Sequence, residues 1–185
     1  MSYNASEHYI LVLSHDEVVH LKCSMLNKMP GLGRDKFQNL MAGYAFMLGH
    51  PGKKLLFMGQ EFAQLQEWSE ERELDWYLLE NPDHKHMQDW VKALLHLYQK
   101  NPCLYELDGN WDGFEWINAD DADRSIYSFV RKSKDGKNNM LFVCNLLRLP
   151  ARITVSACQR KRPINLSWTV MLLNLAVKER KIGIL

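Results

Sequence analysis

Apolar residues open this chain in a short unbroken run, Tyr9-Ile10-Leu11-Val12-Leu13, which gives way at once to Ser14-His15-Asp16-Glu17. A run of that length bounded by polar residues reads as a buried strand. Titratable groups at its end stand where parallel β/α folds hold their chemistry, so the switch marks an active-site rim. A polar, glycine-punctuated loop follows through Lys22, Ser24, Lys28, Pro30, Gly31 and Gly33. Phe37, Leu40, Met41, Tyr44, Ala45 and Leu48 then recur at helical spacing, with Gly49 and Pro51 as the stop. A second strand is predicted over Leu55-Leu56-Phe57-Met58, ending in Gly59-Gln60-Glu61-Phe62. Strand, helix, strand is a βαβ rhythm, and two unbroken apolar strands suit a parallel sheet covered on both faces.

Gln66 to Leu79, rich in acids and aromatics, reads as a long functional loop. Asn81-Pro82 opens another helix, whose stripe is Met87, Trp90, Val91, Leu94, Leu95 and Tyr98, and Asn101-Pro102 ends it. Beyond that point the period changes to two. Residues 113–117 and 125–130 alternate, and Asp135-Gly136 signals a hairpin before Asn139 to Cys144. A separate β domain therefore begins near residues 100 to 110.

Composition bounds the class. The chain has 185 residues, 46% hydrophobic and 24% charged, which is ordinary for a globular protein with one good core or two small ones. Cys23, Cys103, Cys144 and Cys158 are far apart and form no C-x-x-C pair, which disfavours a zinc knuckle or a secreted disulfide framework. No secretory leader is read at the start, and Ile164 to Val177 is too short and too often interrupted to span a bilayer, so a cytoplasmic protein without a membrane segment is expected. Residues 1–135 hold 21 acids and 14 bases, whereas residues 136–185 hold one acid and nine bases. Apart from Arg160-Lys161-Arg162, that basic end lacks the tight cluster with interleaved aromatics that nucleic-acid binding favours, so no nucleic-acid partner is expected. His15 and His20 are five residues apart, off the shared helix face that a metal pair needs, and no metal or cofactor is expected. His50 and His96 read as structural, His84 and His86 as solvated.

The run Leu13 to His20, with Lys22, Ser24-Met25-Leu26 and Lys28-Met29-Pro30-Gly31, resembles the 1,4-alpha-glucan (glycogen) branching enzymes of the alpha-amylase superfamily. So do residues 50–59 with Glu61-Phe62, Leu74-Asp75-Trp76 with Leu78-Leu79, residues 113–117 and Asp123 to Phe129. The resemblance covers roughly residues 7–146. It implies an α/β plus β fold: the last two β/α units of a (β/α)8 barrel over residues 1–103, then part of a C-terminal β-sandwich over 104–185. It also implies glycogen biosynthesis by retaining transglycosylation, in which an α-1,4-glucan is cut and passed to a sugar 6-hydroxyl to form an α-1,6 branch. Such chemistry uses one carboxylate as nucleophile and a second, about 5 Å away, as acid and base. By the match, Asp16 is the third carboxylate, which stabilises the transition state, and His15 the sugar-binding imidazole beside it. Glu61 lines the same cleft or is structural. Trp68, Trp76 and Tyr77 stack on glucose or pack in the interior, with Trp76 carried as a substrate-binding residue.

Two departures from the family pattern carry further expectations. No stretch of these residues resembles the nucleophile or acid/base motif, so the resemblance begins at the family's seventh strand and this chain alone is expected to be inactive. An open piece of barrel would also expose strand edges. From Leu147 onward the expected acidic, glycine-containing sandwich is missing, and the reversed charge bias suggests a frame-shifted tail that was never selected to pack. Two alternatives stay open: a non-catalytic glucan-binding fragment using Trp76, Tyr77 and Trp116, and a related hydrolase such as a maltooligosyl trehalose trehalohydrolase.

Overall fold

The structure, a computed structural model, describes residues 10–123, 125–145 and 168–174. The described chain divides into two compact units. The first comprises Ile10–Leu48 and Lys53–Lys100; the second comprises Gly49–Gly52 and the chain from Asn101 onward.

In the first unit β1 (Ile10–Leu13) pairs in parallel with β2 (Lys53–Leu56), Ile10 opposite Lys53 and Leu13 opposite Leu56. Tyr9 lies outside the described residues, and the second strand begins two residues before the predicted one. Between the strands run a single helical turn, α1 (Met25–Lys28), capped by Ser24 Oγ accepting from the Asn27 amide, and the long helix α2 (Arg34–Gly49). Leu40, Met41, Tyr44, Ala45 and Leu48 of the predicted stripe are buried. The two strands are not covered on both faces as their composition suggested: Ile10 is 58% exposed and Val12 49%. The apolar runs of a parallel sheet need helices on each face to bury them, and these strands keep much of their surface in water.

The third helix, α3 (Pro82–Lys100), starts where Asn81-Pro82 predicted it, with Asn81 Oδ1 accepting from the Asp83 amide. Met87, Trp90, Val91, Leu94 and Leu97 are buried, and the Trp90 indole donates to the Met41 carbonyl at 3.1 Å, joining α3 to α2. Leu95 is exposed rather than part of the stripe: at 100° per residue it stands about 80° from Met87, just outside the buried arc. His84 corrects another expectation. It is buried rather than solvated, donating through Nδ1 to the Phe62 carbonyl at 2.8 Å and meeting the Phe37 ring edge-on at 4.9 Å.

In the second unit β3 (Phe114–Asp121), β4 (Ile126–Lys132) and β5 (Asn139–Asn145) form an antiparallel meander, the β4–β5 loop lying at the predicted hairpin. Register puts Phe129 opposite Phe142 and Val130 opposite Leu141, so alternation yields one aromatic face and one aliphatic face. The Phe129 and Phe142 rings stack 4.9 Å apart, 8° from coplanar, with Phe114 and Trp116 packed around Phe129. Val130, Leu141 and Val143 make the aliphatic core, with Ile117 and Ile126 against it. A fourth strand, β6 (Trp168–Asn174), lies parallel to β5 within the stretch read as an atypical tail. The remainder of that tail is outside the described residues. Among the described residues no helix is long and apolar enough to cross a membrane.

Candidate functional site

Because β1 and β2 are parallel and in register through Leu13 and Leu56, both end at the same edge of the sheet, where the Phe57 amide donates to the Leu13 carbonyl at 3.0 Å. The turns that follow the two strands therefore emerge side by side. The first is a 3-10 turn, His15–Glu17, capped by Ser14, whose Oγ accepts from the Asp16 amide at 3.2 Å. The Ser14 hydroxyl also donates to Asp16 Oδ2 at 3.3 Å, and His15 Nε2 lies 3.1 Å from Asp16 Oδ1. Both side chains stay open to solvent, His15 at 54% and Asp16 at 70%. The His15 ring stands 6.0 Å from Phe57 and 6.4 Å from Trp68, and those two rings meet edge-on at 5.3 Å. The pair is thus an accessible carboxylate beside an imidazole seated on aromatic carbon.

Downstream of this turn the backbone is unusual. His20, Leu21 and Cys23 all have left-handed φ, at 55°, 65° and 66°. None is glycine, so each costs on the order of 1 kcal/mol. Glu67 is what holds them: one carboxylate oxygen accepts from the Leu21 amide at 3.1 Å and the other from the Cys23 amide at 2.6 Å. Lys22, inside the tract, donates from Nζ to the Asp16 carbonyl at 2.8 Å, and Lys28 donates to the Glu17 carbonyl. The sequence pattern does not single out Glu67. Left-handed residues that are neither glycine nor asparagine leave no signature, and the carboxylate lies more than 40 residues from the amides it holds.

The second turn, Gln60–Phe62, carries Glu61. It opens at Gly59 with φ 85°, where a Cβ would fall 2.9 Å from Gln64 Oε1. Glu61 is half-buried, and the Tyr44 hydroxyl donates to the neighbouring Gln60 carbonyl at 3.2 Å. Burial, and secondarily the Glu61 charge, push the Tyr44 phenol well above its ordinary range. Trp76 and Tyr77 follow on a further 3-10 turn, Trp76–Glu80, 50% and 61% exposed. The Trp76 ring lies 5.2 Å from Phe62, placing it beside the Glu61 turn. The structure therefore gathers His15, Asp16 and Trp68 in one cluster, while Trp76 lies against Phe62, the neighbour of Glu61 in the second turn. Trp116 belongs to the second unit, packed edge-on against Phe114 at 5.1 Å. Among the described residues no group of three His, Cys, Asp or Glu is arranged to hold a metal ion.

The β unit falls into a known class of domain. The all-beta C-terminal domain of alpha amylases matches residues 116–154, running past the change of composition at Leu147. Beyond that class, the chain is 64% identical over 146 residues to the 1,4-alpha-glucan branching enzyme GlgB of Butyrivibrio fibrisolvens, covering 79% of this chain and 23% of that protein. It is 52% identical over 145 residues to the enzyme of the same name from Gloeobacter violaceus, and 50% identical over 148 residues to that of Aquifex aeolicus. These matches cover 78% and 80% of this chain, and 20% and 24% of the two relatives. Over its matched residues the chain belongs to the 1,4-alpha-glucan branching enzymes of the alpha-amylase superfamily. It spans about a quarter or less of the length of these relatives.

Proposed function

We propose that this chain supplies one wall of the glucan cleft of a branching enzyme, built on the last two β/α units of a (β/α)8 barrel over residues 1–103 and a partial β-sandwich over 104–185. The observation that carries this reading is the exposed His15–Asp16 pair at the end of β1, with the turn after β2 emerging beside it. Active sites of parallel β/α barrels form from the loops at the C-terminal ends of the strands. Asp16 accepts hydrogen bonds from sugar hydroxyls and its negative charge opposes the positive charge that grows on the sugar ring as the glycosidic bond breaks. His15 donates to a hydroxyl of the same sugar, and Glu61 and Trp76 extend the cleft along the glucan. The partner is an α-1,4-glucan such as glycogen, the setting cytoplasmic, and neither metal nor cofactor is needed, because carboxylates alone run the reaction.

By itself the chain is inactive in this reading, since retaining transfer needs a nucleophile and an acid/base about 5 Å apart and neither motif is recognisable here. A second reading, glucan binding without turnover, is favoured by the exposure of Trp76 and Tyr77, which offer flat apolar faces to sugar rings. Incubation with amylose tests both. No new α-1,6 linkages are expected from this chain, while maltohexaose is expected to bind and to bind at least about tenfold more weakly to Asp16→Asn, the loss of one charge-assisted contact. Branching by this chain would overturn its inactivity, and unchanged binding in Asp16→Asn would overturn the role given to Asp16 and favour the second reading.

A further inference from the structure

We propose that Glu67 is a positioning residue for the rim: by holding the strained His20–Cys23 backbone through two amides, it fixes Lys22 on the Asp16 carbonyl and so sets the His15–Asp16 turn. Three left-handed residues within four positions are not stable on their own account, and strain of this kind persists only where surrounding structure over-determines it. Here that structure can be named. Glu67 spans the Leu21 and Cys23 amides, its own carbonyl accepts from Arg72 Nη2 at 3.0 Å, and the next residue, Trp68, donates its backbone amide to the Val18 carbonyl at 3.0 Å. The Trp68 ring then reaches His15. One dipeptide therefore grips the loop through the Glu67 carboxylate and the Trp68 amide, and touches the imidazole through an aromatic edge. Lys22 is the link between them, since its position within the strained tract is what brings its ammonium to the Asp16 carbonyl at 2.8 Å.

The functional part of this inference rests on the glucan-cleft reading; the geometric part does not. The test follows both in the full chain by NMR, comparing wild type with Glu67→Ala, Glu67→Gln and the double variant Glu67→Ala with Leu21→Gly. In Glu67→Ala, amide exchange at Leu21 and Cys23 is expected to accelerate at least about tenfold, the His15 ring and Asp16 amide signals to shift, and maltohexaose affinity to fall about tenfold, with β3–β5 signals unchanged. Glycine adopts left-handed φ without the Cβ penalty, so the double variant should recover affinity to within about threefold of wild type. Stationary His15 and Asp16 signals in Glu67→Ala would overturn the proposal whether or not maltohexaose binds. Failure of the wild type to bind maltohexaose would sink the cleft reading alone. If the alanine variant does not fold, Glu67→Gln decides: it keeps one acceptor oxygen, so one of the two amides should lose protection and His15 should still move, and an unmoved His15 counts against the role.

Discussion

Arg131 and Asp108 form an ion pair 2.7 Å long in which the guanidinium is fully buried. Its other terminal nitrogen donates to the Gly49 carbonyl at 2.9 Å. Removing one partner of a buried pair leaves an uncompensated charge and costs about 3–5 kcal/mol, whereas replacing both with apolar groups is often close to neutral. Asp108→Asn should therefore lower the unfolding free energy by about 3 kcal/mol, seen in urea as a reduced midpoint at unchanged slope. Asp108→Leu combined with Arg131→Met should lose much less.

At Gly49 a methyl group has nowhere to go. A Cβ there would lie 2.7 and 2.8 Å from two carbons of the Phe142 ring and 3.0 Å from Phe129, and those rings are already stacked on each other. Overpacking of this sort costs about 1–3 kcal/mol. Gly49→Ala is expected to be destabilised by that amount in chemical denaturation despite the higher helix propensity of alanine.

Burial pushes the thiols of Cys103 and Cys144 up to about 12, while Cys23 is exposed. At pH 8 iodoacetamide should modify Cys23 in the native chain and reach Cys103 and Cys144 only after unfolding, as read by peptide mass spectrometry. The sign of the pH effect follows from linkage. Both folded values lie above the ordinary 9.0, so above that value the unfolded chain releases protons that the folded chain retains. Stability should be insensitive to these groups below about pH 8 and fall as pH rises from 9 toward 12. Cys103→Ala with Cys144→Ala should flatten that part of the profile.

His84→Phe tests the buried hydrogen bond to the Phe62 carbonyl. Phenylalanine fills a similar space and keeps the Phe37 contact but leaves the carbonyl unpaired, a cost of about 1–3 kcal/mol. The loss should appear in thermal unfolding. An equal stability in the variant would mean the carbonyl finds another donor.

Trp76→Ala and Tyr77→Ala separate binding from folding. Both side chains are at least half exposed, so truncation should change stability by less than about 0.5 kcal/mol. In the proposed cleft each is expected to weaken maltohexaose binding about three- to tenfold by calorimetry, consistent with the loss of one stacking face.

Much of the architecture is legible in the sequence because it rests on local patterns. The α2 stripe from Leu40 to Leu48, the Asn81-Pro82 start of α3, and the alternation around Phe129 each follow from one residue's relation to the next few. His84 reads wrongly as solvated because a histidine among Asp83, Lys85 and His86 looks polar in sequence, and only the fold brings the Phe62 carbonyl and Phe37 ring to it. Leu95 is misplaced because a stripe read by spacing has no sharp border, and its edge is set by what packs against the helix. At the rim, His15 and Asp16 announce themselves by following directly on an apolar strand. The role of Glu67 is not legible, since it depends on left-handed backbone at Leu21 and Cys23 that no side chain there requires.

The separation between clamp and clamped is itself informative. The Leu21 and Cys23 amides precede their acceptor by 46 and 44 residues, so the contorted loop is unavailable to a nascent chain until residue 67 has been made and brought back across the sheet. Ribosomes add roughly 5–20 residues per second, which leaves the loop unsupported for a few seconds of every synthesis. An excised peptide covering only residues 10–33 should accordingly populate the contorted geometry hardly at all, so the rim is a late acquisition of the folded chain.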